Sequence, residues 1–394
     1  MHNFDFLVPT RLIFGAGTHR EAGSLVKGCG AKKVLLHYGG GSIKRSGLYD
    51  EVTASLKAAG VEYAELGGVV PNPRLSLARE GVALAKREGI DFILAVGGGS
   101  VIDSAKAIGV GALSDADIWD FYMGKARIVK TLPVATILTI PAAGSETSSS
   151  SVITNEAEQL KYGIGSELIR PVFSIMNPEL FFTLPKDQIG YGVADMMSHI
   201  FERYFTNTLS TDLTDALCEA TLRVIMKNAR IVASKPDDYD AWAQIGHSGS
   251  MAHTDILGLG RSQEWSCHMI EHELSAIYDV AHGGGLAVIT PAWMEYVYKE
   301  NIPMFTQFAV NIMGVADASF RAPEALILEG IRRLREFFKS IGQPGTLAEL
   351  GIGADKLELM AKKATREQFG KEKPFGNIKK LYWQDVLNIL ELAQ

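Results

Sequence analysis

Three histidines lie close together in the segment EWSCHMIEHELSAIYDVAHGGG, residues 264–285. If this segment is helical as far as Tyr278, His268 and His272 are four residues apart and share one face of the helix. The third, His282, follows just beyond the predicted helix end, beside a run of glycines. Because neutral imidazole is a common ligand of transition metals, the segment indicates part of a metal site.

A second pair of polar residues stands on the upstream segment GYGVADMMSHIFERYF, which is otherwise largely apolar. Asp195 and His199 are also four residues apart, so the carboxylate and the imidazole point to the same side of a helix. With two of the histidines from residues 264–285 they complete a set of three nitrogens and one oxygen. Such a set suits Zn²⁺ or Fe²⁺ and does not suit Ca²⁺.

The remaining histidines show no comparable grouping and are not predicted to be ligands: His2, His19, His37, His247 and His253. His247 and His253 lie close in sequence to the predicted metal helices, which keeps them as candidates for the wall of a pocket. Three aromatic residues are weaker candidates for the same wall, because each fits ordinary core packing better: Phe205, Trp265 and Trp293.

A glycine loop in the first half, within AVGGGSVIDSAKAIG, has the form of a phosphate-binding turn. Gly97, Gly98 and Gly99 are predicted to end a strand, and Ser100 to open a helix. Backbone N–H groups and a helix N-terminus then converge where no Cβ is in the way, which suits a diphosphate. The alternative is a plain tight turn, but three glycines followed by an N-cap serine favour phosphate binding.

A second glycine cluster, HYGGGSIKRSG, also follows a predicted strand. In a dinucleotide-binding fold an acidic residue at the end of such a strand would hold the adenosine ribose. This cluster offers small donors and positive charge instead: Gly39, Gly40, Gly41, Ser42, Lys44 and Arg45. The pattern predicts a 2′-phosphate, and therefore NADP(H) in preference to NAD(H). The alternative is a solvated turn that carries surface cations.

The elements that must position these residues change character near residue 183. Before it, short apolar runs such as DFILAVGGGS and VATILTIPA alternate with helical segments, which predicts a parallel sheet covered on both faces. After it, long amphipathic segments follow one another with almost no β-branched runs between them. Two domains are therefore expected: a Rossmann-like α/β dinucleotide-binding domain over residues 1–183, and an all-α metal-binding and catalytic domain over residues 184–394.

Composition limits the class of protein. The 394 residues are 47% hydrophobic and 21% charged, with a net charge of -6 and no long run of lysine or arginine. These values fit a globular protein whose partners are small molecules, and argue against a nucleic-acid surface or a polybasic membrane patch. The sequence has three cysteines without C-x-x-C spacing, no targeting segment and no apolar stretch near ~20 residues. It therefore predicts a reduced, cytoplasmic protein that does not span a membrane.

Several motifs together resemble a known family. The segments GGGSVIDSAK, ADMMSHIFE, WSCHMIEHELSAIYDVAHGGGLA and ITPAWM resemble the iron-containing, group III alcohol dehydrogenases. The segment YGGGSIKRSG resembles their butanol dehydrogenase branch, whose members reduce aldehydes with NADPH or NADH. The resemblance covers almost the whole chain and implies an α/β nucleotide-binding part followed by a helical metal-binding part.

The resemblance also assigns roles that spacing leaves open. It implies that four residues hold the divalent metal, Fe²⁺ or Zn²⁺: Asp195, His199, His268 and His282. His272 then resembles the family's second histidine near the nicotinamide and the substrate. The residues with an implied part in catalysis are His268, His272 and Asp103, the last of which lies in the helix after the glycine loop, near the nicotinamide end.

The segment TIPAAGSETSSSSVIT resembles the family's stretch along the cofactor, and it offers Thr139, Ser145 and Thr147. Lys161 matches a lysine that reaches the cofactor ribose. One departure is that Ala142 and Ala143 stand where many members carry hydroxyl groups. The family commonly forms homodimers through N-terminal strands, so a homodimer is expected here, and TRLIFGAG is a candidate edge strand.

The expected reaction is metal-dependent hydride transfer between NADP(H) and a primary alcohol or aldehyde such as butanol or butanal. A bound divalent metal would make the alkoxide accessible near neutral pH, and the nicotinamide would take the hydride. His272 is the candidate proton shuttle.

Two other interpretations use parts of the same pattern. HMIEH fits the H-x-x-E-H pattern of a zinc peptidase with Glu271 as general base, but this leaves the glycine loops and the pair Asp195 and His199 without a role. A lyase or synthase related to dehydroquinate synthase would also join a nicotinamide to a metal. Its substrate would call for a pocket rich in lysine and arginine, which the metal-bearing segments lack.

Overall fold

The structure, a computed structural model, describes residues 1–316 and 322–394. These residues form two compact units, Leu7–Thr183 and Leu184–Gln394, and the second unit also includes Met1–Phe6. The predicted first domain, residues 1–183, therefore differs from the compact unit at its start. The reason is that the first residues are hydrogen bonded to the second unit. The Met1 amino group donates to the Leu209 carbonyl at 2.9 Å, and the His2 N–H donates to the Gly260 carbonyl at 2.7 Å.

The first unit is built on a parallel sheet. Among the residues described, its strands are β1 (Arg11–Phe14), β2 (Lys33–Gly39), β3 (Glu62–Val69), β4 (Phe92–Gly97), β5 (Val134–Leu138) and β8 (Phe173–Met176). Their order in the sheet is β1-β8-β5-β4-β2-β3, and every pairing is parallel. A separate antiparallel hairpin joins β6 (Ser150–Asn155) to β7 (Leu160–Gly165). The predicted α/β fold class is confirmed.

Helices connect the strands of this unit: α1 (Ala22–Gly28), α2 (Ser42–Arg45), α3 (Leu48–Ala58), α4 (Leu75–Glu88), α5 (Gly99–Ala112) and α6 (Ile118–Tyr122). Each residue of β4 and β5 is buried, as expected for apolar strands with helices on both faces of the sheet. Because β2 and β4 are parallel neighbours, with His37 opposite Ala95, their carboxyl ends meet at one edge. Both glycine loops leave the sheet at that edge, where ligands of open α/β sheets bind.

The second unit is helical, as predicted: between residues 184 and 394, the part of the chain that the structure describes contains helices and no β-strand. Its helices are α7 (Lys186–Tyr204), α8 (Asp212–Ser234), α9 (Tyr239–Ala252), α10 (Ser266–Tyr278), α11 (His282–Val297), α12 (Ile302–Gln307), α13 (Pro323–Ser340), α14 (Leu357–Ala364) and α15 (Trp383–Leu392). None of the helices described has both the length and the apolar character needed to cross a membrane.

The helix ends in this unit follow local rules. Pro185 precedes α7 directly, where its missing N–H costs no helical hydrogen bond. Helix α10 ends at Tyr278 and is closed by Asp279, whose left-handed backbone has φ 55°. His282, predicted to lie just beyond the end of this helix, is the first residue of α11. That position places its side chain at the start of a second buried helix.

A buried ion pair between α10 and α14 gives a testable pH dependence. Glu273 Oε2 lies 3.4 Å from Lys363 Nζ. Burial raises the pKa of Glu273 to about 7, because its effect is larger than the opposing effect of the Lys363 charge. Glu271 raises this pKa further, and Arg366 lowers it. A carboxyl group with a raised pKa stabilises the fold below its ordinary pKa, and this contribution is lost as the pH rises towards 7. Glu273 should therefore lower the thermal unfolding midpoint as the pH rises from about 4.5 to 7. We expect Glu273→Gln to remove this contribution, so that its midpoint falls less over the same pH range.

A suitable control for this measurement is Glu358→Gln. Glu358 lies on the same α14 and pairs with Lys362, but its side chain is 61% exposed. Its loss is expected to leave the slope unchanged, because exposed ion pairs contribute little to stability. Parallel pH profiles for Glu273→Gln and the unmodified chain would contradict the prediction.

Candidate metal centre and nucleotide-binding loops

Four side chains predicted as ligands converge in the second unit. Helix α7 carries Asp195 and His199 one turn apart, α10 carries His268, and α11 begins with His282. The Asp195 Oδ1 atom lies 3.3 Å from His199 Nε2, 3.9 Å from His282 Nε2 and 4.0 Å from His268 Nε2. Three imidazole nitrogens therefore surround one carboxylate oxygen, with contributions from three helices.

The hydrogen bonding at this cluster is incomplete. Within the residues described, Asp195 Oδ1 and His268 Nε2 are buried and have no hydrogen-bond partner. Ligand atoms of Asp195, His268 and His282 all lie within 4.8 Å of one another. Buried polar atoms are almost always paired, so this arrangement fits a cation at its centre that would satisfy them together. Three nitrogens and one oxygen are the donors that Zn²⁺ and Fe²⁺ accept.

Two buried glutamates hold two of these imidazoles from behind. His268 Nδ1 lies 3.1 Å from Glu202 Oε1, and His282 Nδ1 is hydrogen bonded to Glu271 Oε2. Such partners fix the ring orientation and leave Nε2 for a metal. Sequence reasoning did not find this role for either glutamate. Glu202 had a signal, since it is an acidic residue three positions after His199 on an apolar helix.

The position of His272 differs from that of the four predicted ligands. Its side chain is half-buried, and its ring centroid is 5.8 Å from that of His282. A ligand atom of His272 lies within 4.8 Å of Glu271 and His282, whereas the group that contains Asp195 is completed by His268 and His282. His272 thus shares no such group with Asp195, whereas His199, which is in neither group, lies 3.3 Å from Asp195 Oδ1.

The peptidase interpretation fails because Glu271, its expected general base, is already hydrogen bonded within the chain. Glu271 is fully buried, and its two oxygens accept hydrogen bonds from Ser275 Oγ and from the His282 ring. A general base must reach a water at the metal, and this carboxylate already orients an imidazole.

The aromatic candidates for a pocket wall have different surroundings. Phe205 and Trp293 are almost fully buried, and Phe205 stacks on Phe305 with ring centroids 4.5 Å apart, so both belong to the aromatic core. Trp265 instead contacts the candidate ligands, with its ring 5.2 Å from that of His268 and 5.7 Å from that of His199. His247 is exposed.

The loop after β4 is tighter than predicted: the strand ends at Gly97, Gly98 is the N-cap of α5 and Gly99 is its first residue. Ser100 was predicted to be the N-cap, but it is the second residue of the helix. A Cβ added at Gly97 would lie 2.4 Å from Val101 Cγ2, and one at Gly98 would lie 3.1 Å from Ile140 Cβ. The first clash alone excludes a side chain at Gly97 unless the turn moves. The backbone N–H groups at the start of α5 are consequently uncovered by side chains of the loop itself, as a phosphate site requires.

Asp103 and a buried lysine organise the serine-rich segment after β5. The Asp103 carboxylate accepts hydrogen bonds from Ser145 Oγ at 2.5 Å and from the Val152 N–H at 2.9 Å. Lys106 Nζ donates to the carbonyls of Ser145, Ser148 and Ser150 at 2.7, 3.0 and 2.8 Å. Both oxygens of Asp103 thus contact this chain, which supports a positioning role more than direct catalysis.

Lys106 was not predicted from the sequence, although a lysine directly before the apolar stretch AIGVGAL is itself a signal. Its side chain is fully buried, and burial lowers its pKa to about 8, while burial raises the pKa of the neighbouring Asp103. Because Lys106 and Asp103 have opposite charges and are buried near each other, their attraction offsets part of the cost of burying each charge.

The other predicted cofactor residues are placed as follows. The Thr139 N–H donates to the Gly97 carbonyl at 3.1 Å, next to the glycine loop. Thr147 is buried, and its hydroxyl donates to the Gly144 carbonyl at 3.3 Å. Lys161 on β7 is buried and donates to Asn72 Oδ1 at 3.0 Å.

The loop after β2 carries its cations beside a carboxylate. Gly39 ends β2, and Ser42 opens the short α2, which contains Lys44. Lys44 Nζ lies 3.6 Å from Glu65 Oε2 and 4.6 Å from the centroid of the Tyr49 ring. A phosphate bound here would share this cation with Glu65.

Comparison with known proteins relates this arrangement to a family. Residues 9–178 match the family model for iron-containing alcohol dehydrogenase, and residues 190–394 match the model for the C-terminal part of the Fe-containing alcohol dehydrogenase family. The chain belongs to the iron-containing alcohol dehydrogenase family. Members of this family bind NAD(P)H and a divalent metal.

Individual members of this family resemble the chain over nearly its whole length. It is 42% identical to NADH-dependent butanol dehydrogenase A of Clostridium acetobutylicum, over 99% of both proteins. It is 31% identical to the NADPH-dependent aldehyde reductase YqhD of Escherichia coli, over 92% of the chain and 93% of that protein. The crystal structure of NADH-dependent butanol dehydrogenase A from Thermotoga maritima matches with a TM-score of 0.96 and 44% identity, over 100% of the chain and 99% of that structure.

This iron-containing alcohol dehydrogenase is therefore an oxidoreductase of the alcohol dehydrogenase and aldehyde reductase type. The synthase and peptidase interpretations are not favoured, because these relatives are butanol dehydrogenases and an aldehyde reductase.

Proposed function

We propose that the chain transfers a hydride between NADP(H) and a primary alcohol or aldehyde of about the size of butanol. The metal would be Fe²⁺ or Zn²⁺, held by Asp195, His199, His268 and His282. The observation that supports this most strongly is the buried Asp195 oxygen, which has three imidazole nitrogens between 3.3 and 4.0 Å away and no hydrogen bond within the described chain.

The residues at this centre would have two kinds of role: some would bind the metal, and others would orient the residues that bind it. A divalent metal supplies Lewis acidity to the substrate oxygen when it is bound. Asp195 contributes the negative charge of the ligand set, and the neutral imidazoles contribute the remaining donors. Glu202 and Glu271 hold the rings of His268 and His282 so that each presents Nε2.

Proton transfer is proposed for His272. It lies one turn after His268 on α10, and its side chain is half-buried, unlike the buried His268. A ring nitrogen at this position could pass a proton to or from the substrate oxygen, because it is not itself a proposed ligand. Asp103 is proposed to position the cofactor segment through Ser145 and Val152.

The cofactor would lie along the edge where β2 and β4 end. We propose that the N-terminus of α5 with Gly97, Gly98, Gly99 and Ser100 binds the diphosphate, and that Thr139, Ser145, Thr147 and Lys161 line the remainder. The preference for NADP(H) depends on one loop, formed by Gly39, Gly40, Gly41, Ser42 and Lys44. Two observations oppose that preference: Glu65 pairs with Lys44, and the relative from Clostridium acetobutylicum is named NADH-dependent.

Gly40→Asp tests the cofactor preference. A Cβ added at Gly40 meets no atom within 4 Å, so the new side chain fits without strain. Its negative charge would repel a 2′-phosphate and accept hydrogen bonds from a free ribose. We expect the ratio of kcat/KM for NADPH to that for NADH to fall by about tenfold or more. The matched control is Gly40→Asn, which has the same size without the charge, and an equal fall in both variants would contradict the loop argument.

The activity itself is tested with butanal. Purified protein is assayed for oxidation of NADPH and of NADH, then stripped of metal with a chelator and supplied with Fe²⁺ or Zn²⁺. We expect activity to disappear and to return with one or both ions. Full activity in the stripped protein would exclude the metal, and no activity with any added ion, despite bound cofactor, would exclude this substrate class.

Two further proposals concern the assembly and its surroundings. We propose a homodimer, because β1 is one of the two edge strands of the sheet and its residue Phe14 is 41% exposed. Light scattering that gives the mass of a single chain would exclude it.

We propose a cytoplasmic location, because all three cysteines, Cys29, Cys218 and Cys267, are free thiols, as a reducing compartment allows. Localisation of the tagged protein by fractionation of its host cell would test this.

A further inference from the structure

Each imidazole proposed as a ligand has a second partner at Nδ1, and one of these partners is unusual. For His268 and His282 the partner is a glutamate carboxylate. For His199 it is another imidazole: the Nδ1 atoms of His199 and His253 are 3.0 Å apart. The two ring centroids are 4.3 Å apart and the rings are inclined at 75°, so the contact is an edge-on hydrogen bond and not a stack.

The proton positions in this contact follow from the proposed ligation. A neutral imidazole carries one proton, and a ring that binds a metal through Nε2 must carry it on Nδ1. The Nδ1 atom of His199 then donates, and the Nδ1 atom of His253 must accept. Because His253 is neutral as an acceptor, its own proton lies on Nε2. One hydrogen bond thus determines the tautomer of both rings.

The segment after His253 has an energetically unfavourable backbone. His253 directly follows α9 as its C-cap, and Asp255 two residues later has a left-handed backbone with φ 70°. The buried Arg203 guanidinium donates to Asp255 Oδ1 at 3.2 Å and to the His199 carbonyl at 3.0 Å. Trp265, with φ 67°, places its ring 4.7 Å from that guanidinium and 6.0 Å from the His253 ring. Non-glycine residues with positive φ are uncommon, and such strain concentrates near functional sites.

We propose that His253 is a positioning residue of the metal centre. Its Nδ1 accepts the Nδ1 proton of His199 and holds the His199 ring with Nε2 towards Asp195. Arg203, Asp255 and Trp265 keep His253 in place. The proposal rests on the metal site proposed above. Because an imidazole replaces the carboxylate found behind the other two rings, this partner orients His199 without adding a negative charge to the cluster.

The experiment uses Co²⁺ as a spectroscopic probe in the full chain. Affinity is measured by competition with a chromophoric chelator, and coordination by the visible absorption of bound Co²⁺. We expect His253→Leu to bind Co²⁺ about 10- to 100-fold more weakly, with an altered absorption band, since loss of an orienting partner typically has that effect. His253→Asn should largely restore both, because its amide oxygen can accept the same proton.

The matched control is His247→Leu, which removes an exposed imidazole from α9, the helix that His253 directly follows. If His253→Leu binds Co²⁺ with the affinity and absorption of His247→Leu, the proposal for His253 is overturned while the metal site stands. If the unmodified chain binds no Co²⁺, the proposed metal site is overturned, and the role of His253 with it.

A second measurement covers the case in which His253→Leu does not fold. The unmodified chain is labelled with ¹⁵N in its histidine rings and loaded with Zn²⁺, and long-range ¹H–¹⁵N spectra assign the tautomers. The proposal requires a proton on Nδ1 of His199 and on Nε2 of His253. A proton on Nδ1 of His253 would overturn it.

Discussion

His268→Ala is expected to abolish metal binding and to lower turnover by at least about 10²–10³-fold, the size of losing one preorganised electrostatic stabiliser. His272→Ala is expected to retain the full metal content and to lose about 10²–10⁴-fold in turnover, as for a general acid or base. The reason is position: His268 Nε2 is buried 4.0 Å from Asp195 Oδ1, whereas His272 groups with Glu271 and His282 and not with Asp195. Metal content by elemental analysis and kcat for butanal reduction separate the two effects.

Each of the two variants, His268→Ala and His272→Ala, serves as the control for the other. Both residues are histidines on α10, both variants remove the same ring, and both leave an alanine that favours helix. A difference in metal content therefore reflects the location of the ring and not the change in side chain. Equal metal loss in both variants would show that His272 is a ligand, and equal retention would show that His268 is not.

Gly283→Ala is expected to destabilise the second unit by about 1–3 kcal/mol or more, the usual cost of overpacking. A Cβ at Gly283 would lie 2.0 Å from the backbone oxygen of Tyr191, so α11 would have to move away from α7. The helices cross here because this residue has no side chain. Since His282 is the preceding residue, the movement would also displace a proposed ligand.

Unfolding of this variant by urea can be followed by tryptophan fluorescence, because Trp242, Trp265, Trp293 and Trp383 all lie in the second unit. The control is Gly345→Ala in the same unit, where an added Cβ has Glu349 Oε2 3.9 Å away as its nearest neighbour. An unfolding midpoint for Gly283→Ala that equals the control would contradict the prediction. Metal content of the folded fraction measures the displacement of His282 separately.

The sequence alone predicted the fold class, which is confirmed, and the pairing of Asp195 with His199, and the physical basis of both is local periodicity. Apolar runs such as FILAVG are short enough for buried strands, and long amphipathic segments after residue 183 can only bury their apolar stripe as helices. Spacing of four residues places Asp195 beside His199 on a helix whatever the rest of the chain does. The family resemblance then added which histidines belong with them.

Partners from distant parts of the chain could not be predicted in this way. His268 and His272 share one helix face, and only the approach of α7 and α11 places the former beside Asp195. Lys106 resembles a surface lysine until the carbonyls of residues 145–150 fold over it. Glu202, Glu271 and His253 become orienting partners only when separate helices meet.

The sequence by itself thus determined what depends on neighbours along the chain: the strand and helix pattern, the two glycine turns, and the paired positions of acid and imidazole. The tertiary structure decided what depends on neighbours in space: which nitrogen of each histidine faces Asp195, which carboxylate orients it, and which charges are buried. The physical reason is that a helix fixes side chains within one turn, whereas hydrogen bonds across helices depend on the packing of the whole unit.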